Sequence, residues 1–583
     1  MTGPNGIACI QSAAVAKSIA VMLSLAASVY LSGCNTGSET GNPTKGLTGN
    51  VLTLDGVPAA RTQVILVPGD FNPLDLVAGH SSALHVDTTD DKGRYGFTGL
   101  DTGTYNLEAR SLADGTCFRI TDIAVDGWVD TIPEQILRAS GSITADLDGA
   151  ADTSTGYVYI PGTTFLRKVE SASGVIAFDS VPPGRIDSLL YGSLQATSES
   201  KAFAWNLDVL PEASAKTSGP YLAWTHSTAL HLDTRPDVGR TAVRIAEKVA
   251  HIPLRFALNA ANFDFSATRT DGSDIRITNE NGEPLPCELQ LWDPVAMSGE
   301  VWVLMDTVFV DSLQKVRLHW GYAGAAAMPA AWPQGSVFSV ADGYAAAWHL
   351  DEDPLAVGRL MKDHSGRRND GTAVNFQDAG GAVSGVLGSG LLLDGKTQYL
   401  ASGKEFANPN VYTYGGWIKT TTAAGGRIFD FTNKDTSTAT NFWDRLIHMY
   451  MDGTVINGVY PPTVPGTRMP TEGMYRILRG TVPLNDGQWH HVAARLSGKG
   501  QALFVDGVKV AEDPATVEAE NINGFWRLGF GHLSDGAWAP NGTSTYFQGA
   551  MDEVWITHAE RSDDFLKLTF ENQRPGSLLL RFP

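Results

Sequence analysis

A chain that cleaves glycosidic bonds needs two carboxyl groups facing one bond. On a β-strand, side chains share a face only when they stand two positions apart. Residues 332–583 hold no strand-like run that lines acids up in this way. Asp552 and Glu553 are adjacent, which predicts opposite faces of a strand. Asp351, Glu352 and Asp353 stand before Pro354 and read as a loop, while Asp430 and Asp444 are single carboxylates. His490 and His491 are neighbours in a predicted strand, so they point apart and cannot share an ion, and Trp489 and Val492 beside them give that strand a packing role. Farther upstream, Asp271–Gly272 is a turn signature, and Asp274, Glu288 and Asp293 read as the solvent side of half-buried strands. There is no GxSxG, HExxH or P-loop. Of the four cysteines, Cys9, Cys34, Cys117 and Cys287, no two have zinc-site or CxxC spacing. Cys117 and Cys287 read as buried or free thiols, with a bridge between them as the alternative. No residue is assigned a catalytic role, and the chain is expected not to be an enzyme.

What remains is recognition. Sugars offer CH faces that stack on aromatic rings while polar side chains bond the hydroxyls. Asn441–Gly453 (NFWDRLIHMYMDG) sets Trp443 and Tyr450 among Asp444, Arg445 and His448, just before a long Pro- and Gly-rich insertion, Thr454–Gly487. His532–Phe547 sets Trp538 and Tyr546 in a second loop. Long loops on a rigid scaffold often carry function, so Trp443, Tyr450, Trp538 and Tyr546 are the ligand-binding candidates. Trp417, Trp489 and Trp555 fall in regular strands and read as core.

The elements that must hold these residues are β-strands. Short apolar runs bounded by Gly, Asp and Asn recur from Trp348 to Ile556, as in a large antiparallel sandwich. With 62 Gly and 29 Pro and few helical periods, the whole chain reads as all-β. At 583 residues it must divide into several domains. The net charge of −20 repels phosphate backbones, so nucleic acid is not an expected partner.

The N-terminus reads as an address. Lys17 precedes an apolar run, Ser18–Leu31, too short to span a bilayer comfortably and suited to a signal-peptide core. It ends in LSGC (Leu31–Cys34), which resembles the bacterial lipoprotein box. The resemblance implies lipidation of Cys34 and, with Asn35 next, an outer-membrane lipoprotein, surface-exposed and held to the membrane by its N-terminal lipid. An ordinary secretory signal with an incidental cysteine is the alternative. Residues 35–45 read as a flexible tether.

Residues 46–138 contain a DG turn expected to join two strands, Gly49–Gly69, and then GRYGFTGLDTGTYNL (Gly93–Leu107). Tyr95 and Phe97 share one strand face; Tyr105, Leu107 and Ala109 share another. This pattern resembles carboxypeptidase regulatory-like (transthyretin-like or Cna-B-like) sandwiches, which are usually stalks. Residues 139–211 read as a smaller copy: Gly174, Phe178, Val181, Gly184 and Ile186 align at one offset with Gly93, Phe97, Leu100, Gly103 and Tyr105. Residues 212–228 read as a linker. In residues 229–331 the run FDF…DGSDIRIT…LPCELQLWD…VWV…LHWG resembles the bacterial domain of unknown function 2341, which often precedes a lectin-like jelly roll. That resemblance places the domain without implying an activity.

Residues 332–583 carry WHL, LLLDG, GGW, DGQWHHVA, LFVDG and GAMDEVWI in order. They resemble laminin-G-like, concanavalin A-like jelly rolls, found in lectins and some glucanases. The glucanases use an acidic strand of the E-x-D-x-x-E type, which is missing here. The resemblance implies a calcium ion at the sandwich rim, with Asp363 and Asp552 in the matching positions; a turn-starting Asp363 and a surface Asp552 are the alternative. Ser562–Arg581 is expected to open with a helical turn and pack back on the sandwich. The expected architecture is a multidomain chain of β-sandwiches ending in a concanavalin A-like jelly roll. The expected function is a non-catalytic, lipid-anchored surface protein whose last module binds glycan or a partner protein. A polysaccharide hydrolase and a purely structural envelope spacer are the other readings. The sequence does not indicate an oligomeric state.

Overall fold

The computed structural model describes residues 46–582 except 79–83, 127–128, 148–155, 171–173, 195–199, 220, 237–242, 378–379, 435–442, 463–474, 534–537, 539 and 541. The segments read as a signal peptide and a tether, and Cys34, therefore lie outside the described residues, as do the side chains of Trp443 and a few others. The chain is nearly all β. Among the described residues no helix is long and apolar enough to cross a membrane.

The first unit is a sandwich of two four-stranded sheets. Strand Arg94–Thr98 alternates exposed and buried, so Tyr95 and Phe97 enter the core together with Tyr105, Leu107 and Ala109. Gly56 does turn the chain, at φ +77°. The strands on either side are not a hairpin, however. Gly46–Leu52 pairs with Arg94–Thr98, whereas Thr62–Pro68 pairs in the other sheet with Gly103–Ser111. The chain folds back only briefly after the turn, with Thr53 N–H bonded to the Val57 carbonyl at 2.8 Å and Ala59 N–H to the Val51 carbonyl at 2.9 Å, and then crosses to the other sheet.

The second unit is a four-stranded sheet facing a three-stranded one. Phe178, Val181 and Ile186 are core here, as their aligned counterparts Phe97, Leu100 and Tyr105 are in the first unit. The segment expected to be a linker is instead structural. Ser214–Ser218 pairs in parallel with Gly141–Asp146, and His226–Asp233 already belongs to the third unit. Backbone donors and acceptors that a sheet can satisfy override a merely polar composition.

The third unit faces a five-stranded sheet with a three-stranded one. Cys117 and Cys287 are both buried, unbridged thiols, and burial pushes them up to about 11 and about 12.

The last unit is a sandwich of two eight-stranded sheets. In one of them β1 (Ser389–Asp394), β2 (Tyr412–Lys419), β3 (Trp489–Ser497) and β4 (Gln548–Thr557) lie in the spatial order β1-β4-β2-β3. Their inner faces meet the second sheet through Leu391, Tyr414, Ile418, Val492 and Met551. On the outer face Ala493, Phe504 and Trp555 join Phe256, Trp302 and Val303 of the third unit in one continuous core. Helix α1 (Asp563–Gln573) completes that seal with Phe565, Leu566 and Leu568. Ser562 caps it by accepting a bond from the Phe565 N–H at 3.1 Å. After it, Leu580–Arg581 adds a strand to the third unit's sheet. Each large apolar side chain buried in this seam contributes about 2–3 kcal/mol. The last two units are therefore fused through a shared core.

Candidate functional site

The third unit and α1 cover only part of this outer sheet face. Where they stop, a cleft of about 590 Å³ remains over the ends of the strands. Its floor is set by register. Leu392 stands opposite Ala550, Ala550 opposite Lys419, and Lys419 opposite Trp489, giving one row across β1, β4, β2 and β3. The Lys419 ammonium lies 6.0 Å from the centre of the Trp489 ring, at the limit of a cation–π contact. Trp489 is half-buried and Lys419 exposed. The next row sets Asp394 opposite Gln548.

The rim is held by turns. Asp394 accepts backbone N–H bonds from Lys396, Thr397 and Gln398 at 2.8–3.0 Å. Burial alone would raise its carboxyl; those bonds outweigh it and lower the pKa. Gly395 closes this turn at φ +70°, and a Cβ there would stand 2.5 Å from that of Gln548. On the far side, Asp486–Gly487 turns into β3, and Gly487 N–H and Asn485 Nδ2 bond to the carbonyls of Thr420 and Thr422. This clamp presents Trp489 at the mouth of the sheet. An indole face flanked by an ammonium, amides and hydroxyls (Thr420, Thr421, Gln548) is suited to stacking and hydrogen bonding of a polyhydroxylated ligand.

Trp489, expected from its strand position to be core, is half-buried at the cleft. Trp417 and Trp555 are indeed core, at 1% and 5% exposure. Trp489 sits two residues past Gly487, at the strand's first position. That place was the available signal.

The loop aromatics fare differently. Trp538 is corrected from ligand platform to core: it is 1% exposed and packs with Leu446, Ile456 and Tyr460 on the outside of the second sheet. Gly458 leaves the space for it, since a Cβ there would come within 2.5 Å of the indole. Tyr450 is half-buried against it, donates its hydroxyl to the Trp538 carbonyl at 3.1 Å, and carries the Arg479 guanidinium 4.7 Å above its ring. Tyr546 is half-buried and stacks on Phe530 at 4.4 Å. Trp443 begins the strand Trp443–Met449, and its side chain lies outside the described residues. Tyr450 and Trp538 are thus brought together as part of a cover, because their rings gain more by packing on each other and on the sheet than by standing in water.

Asp363 and Asp552, the residues matched to a calcium site, lie in separate networks. Asp363 accepts from the N–H groups of Ala347, Ser365 and Asn369 and from the Ser365 hydroxyl, at 2.7–2.9 Å. Its oxygens are occupied in pinning a turn. Asp552 accepts from the N–H groups of Val386, Leu387 and Glu553. Both are fully buried, so Asp552 is not the surface strand residue of the alternative reading.

The expected divergence of Asp552 and Glu553 is also corrected. Gly415 pairs with Trp555 but Trp417 with Asp552, so two residues of β4 oppose one of β2. This is a β-bulge, and Glu553 adopts φ +47° in it. Alternation breaks, and both carboxyls are buried: Glu553 against Gln290 of the third unit, and Asp552 under the Val386–Leu387 backbone of the last unit. Burial, and then their mutual repulsion, raises Asp552 well above the usual carboxylate range. Asp430 and Asp444 are buried in ion pairs with Arg427 (2.7 Å) and Arg445. His490 bonds Asp506 at 2.8 Å, while His491 packs edge-on against Trp417, so the two rings point apart along the strand.

Residues 394–565 match Laminin_G_3, the concanavalin A-like lectin/glucanases superfamily. No curated protein matches the sequence. Similar solved structures include domain 4 of AbnA, a GH43 extracellular arabinanase from Geobacillus stearothermophilus, in complex with arabinotriose; it is 16% identical, with 39% of this chain and 97% of that one covered and a TM-score of 0.26. The binding domain of Paraclostridial Mosquitocidal Protein 1 is 12% identical, with 40% and 52% covered and a TM-score of 0.29, so this chain spans about half of it. A heptameric SAP-like pentraxin from Limulus polyphemus is 16% identical, with 29% and 73% covered and a TM-score of 0.22. Likeness at this level says nothing about ligand or reaction.

Proposed function

We propose that the last unit is a non-catalytic, lectin-like binding module that takes a glycan in the Trp489 cleft, and that the preceding units carry it away from a membrane to which Cys34 is lipidated. The observation that carries the binding reading is the half-buried indole set beside Lys419, Thr420 and Gln548 in an open cleft of about 590 Å³, on a domain matched to the concanavalin A-like superfamily. The fold is built of the kind of sheet whose rim recognises ligands in many unrelated proteins, so the site and not the fold must bear the argument.

The non-catalytic part rests on where the acids are. Asp430 and Asp444 are held by arginines, Asp552 is buried under the Val386–Leu387 backbone, and Glu553 is buried against Gln290 of the third unit. Among the described residues that line the cleft there is one carboxylate, Asp394, already engaged by three backbone donors.

The test is retention of the full chain on a panel of immobilised polysaccharides, compared with Trp489→Ala. Retention on at least one polysaccharide, lost in the variant while its fold is kept, is the expected result. Equal retention of both proteins would remove the cleft from the account, and release of reducing sugar by the wild type would remove the non-catalytic reading. Anchoring is checked separately by Cys34→Ala, which should leave the membrane fraction.

A further inference from the structure

The seam between the third unit and the jelly roll buries a group of side chains that apolar packing does not need. Third-unit strand Cys287–Asp293 sends Glu288 and Gln290 into it. The jelly roll adds His349, just past strand Tyr344–Trp348, then His364 from the turn after Asp363, and Glu553 from the bulge in β4.

Glu288 Oε1 lies 3.2 Å from His364 Nδ1 and 3.7 Å from His349 Nε2. One carboxylate oxygen and two imidazole nitrogens thus converge, each within 4.8 Å of the others. The two imidazole centroids are 4.3 Å apart. His349 is 3% exposed and fixed on both sides: Nδ1 bonds Glu553 Oε2 at 2.8 Å, and the ring stacks on Trp302 at 5.5 Å. That commits Nδ1 and leaves Nε2 aimed at the group. It has no hydrogen-bond partner, because 3.7 Å to Glu288 is too long for one. A buried imidazole nitrogen without a partner is costly unless something binds it.

We propose that Glu288, His349 and His364 bind one zinc-type divalent cation that staples the third unit to the jelly roll. A carboxylate that holds the far nitrogen of a metal-bound histidine fixes its tautomer and ring direction, and Glu553 stands in that position. Gln290 steadies Glu553 in turn, donating to Glu553 Oε1 and Asp351 Oδ2 at 2.7 Å each and accepting from Trp302 Nε1 at 2.7 Å. Asp363 acts at one further remove. It pins the turn from which His364 N–H bonds the Ala347 carbonyl at 2.8 Å, so it positions a ligand without being one. Two imidazoles and one carboxylate suit a borderline ion such as zinc, with water in the fourth place. They do not suit calcium, which takes six to eight oxygens. The side chains of His364 and Glu288 keep 13% and 17% exposure, which leaves a way in for the ion.

The test uses the full chain, stripped with a chelator and titrated with zinc chloride by calorimetry, with thermal unfolding read in parallel. One zinc per chain is expected, with a higher melting temperature and no competition from calcium. His364→Ala and Glu288→Gln, both at partly exposed positions, should lose that binding while keeping the far-UV spectrum of the wild type. Glu553→Gln, as a positioning change, should weaken it about 10–100-fold. Cobalt(II) substitution should give the visible absorption of a four-coordinate nitrogen–oxygen site in the wild type and not in His364→Ala. Absence of stoichiometric zinc in the wild type would overturn the proposal, as a proton then fills the gap. So would zinc binding left unchanged by both ligand variants.

Discussion

Trp417 and Trp489 stand one row apart on the same face of the same sheet, and they have different fates. Trp417 lies opposite His491; two residues along, Lys419 lies opposite Trp489. Over the first row sits α1, whose Gln573 accepts from the Trp417 indole at 2.6 Å and whose Phe570 stacks on it at 5.5 Å. Over the second row there is open cleft. Strand geometry treats the two tryptophans alike. The cover, supplied by α1 and the third unit, makes one a structural anchor and leaves the other lining an open cleft.

The sharpest way to break this contrast is Trp417→Ala. It empties a buried indole site and strands the Gln573 amide, so it should cost about 3–5 kcal/mol of unfolding free energy in a denaturant titration. A loss under about 1 kcal/mol would mean the covered row is not tightly packed. Next comes acid. Burial, opposed by the charge of Asp506, pulls His491 down to about 4, and both its ring nitrogens lack hydrogen-bond partners. The unfolded chain takes that proton near the ordinary value of 6.5, so it binds more protons than the folded chain between about 4 and 6.5. Stability therefore falls as pH drops through that window, by about 2 kcal/mol between pH 7.5 and 5 from this group. His491→Leu should flatten the acid limb by that amount, and an acid limb as steep as the wild type's would count against a neutral His491.

On the open row the effects should be smaller and of another kind. Trp489→Ala should weaken glycan retention about tenfold, near 1.4 kcal/mol, while unfolding shifts by less than about 1 kcal/mol. The reverse pattern, a large stability loss with retention intact, would make Trp489 a second Trp417. Smallest of all, Lys419→Met should reduce retention two- to threefold, an effect of about 0.5 kcal/mol expected of an exposed cation at a ring face. Equal retention by this variant would leave stacking alone as the source of affinity.

Much of the fold was legible because strand burial has a period of two. Tyr95 with Phe97, and the matched Phe178 and Ile186, enter cores as their spacing says. The order of motifs from WHL to GAMDEVWI marked the jelly roll, and the family match at 394–565 lies within it. The DG turn was legible as a turn but not as a crossing between sheets, because a turn signature does not state which strand the next one will pair with. The candidate sites were less legible. Trp538 in a polar loop is buried and Trp489 in a strand is not, which inverts the rule that loops are wet and strands dry. The bulge at Glu553 has no signature in GAMDEVWI, since one extra residue in a strand leaves its composition unchanged. Glu288 and His364 are 76 positions apart, and each by itself resembles an ordinary surface residue.

The sequence by itself determined which residues alternate, where the chain turns, and that the last unit is a two-sheet sandwich, because these follow from local sterics and apolar spacing. Only the tertiary structure decided which part of that sandwich stays bare, which acids are sealed away, and that Glu288 meets His349 and His364. Those outcomes depend on how the third unit and α1 settle on the sheet, and close contact between distant segments is written in no single stretch of chain.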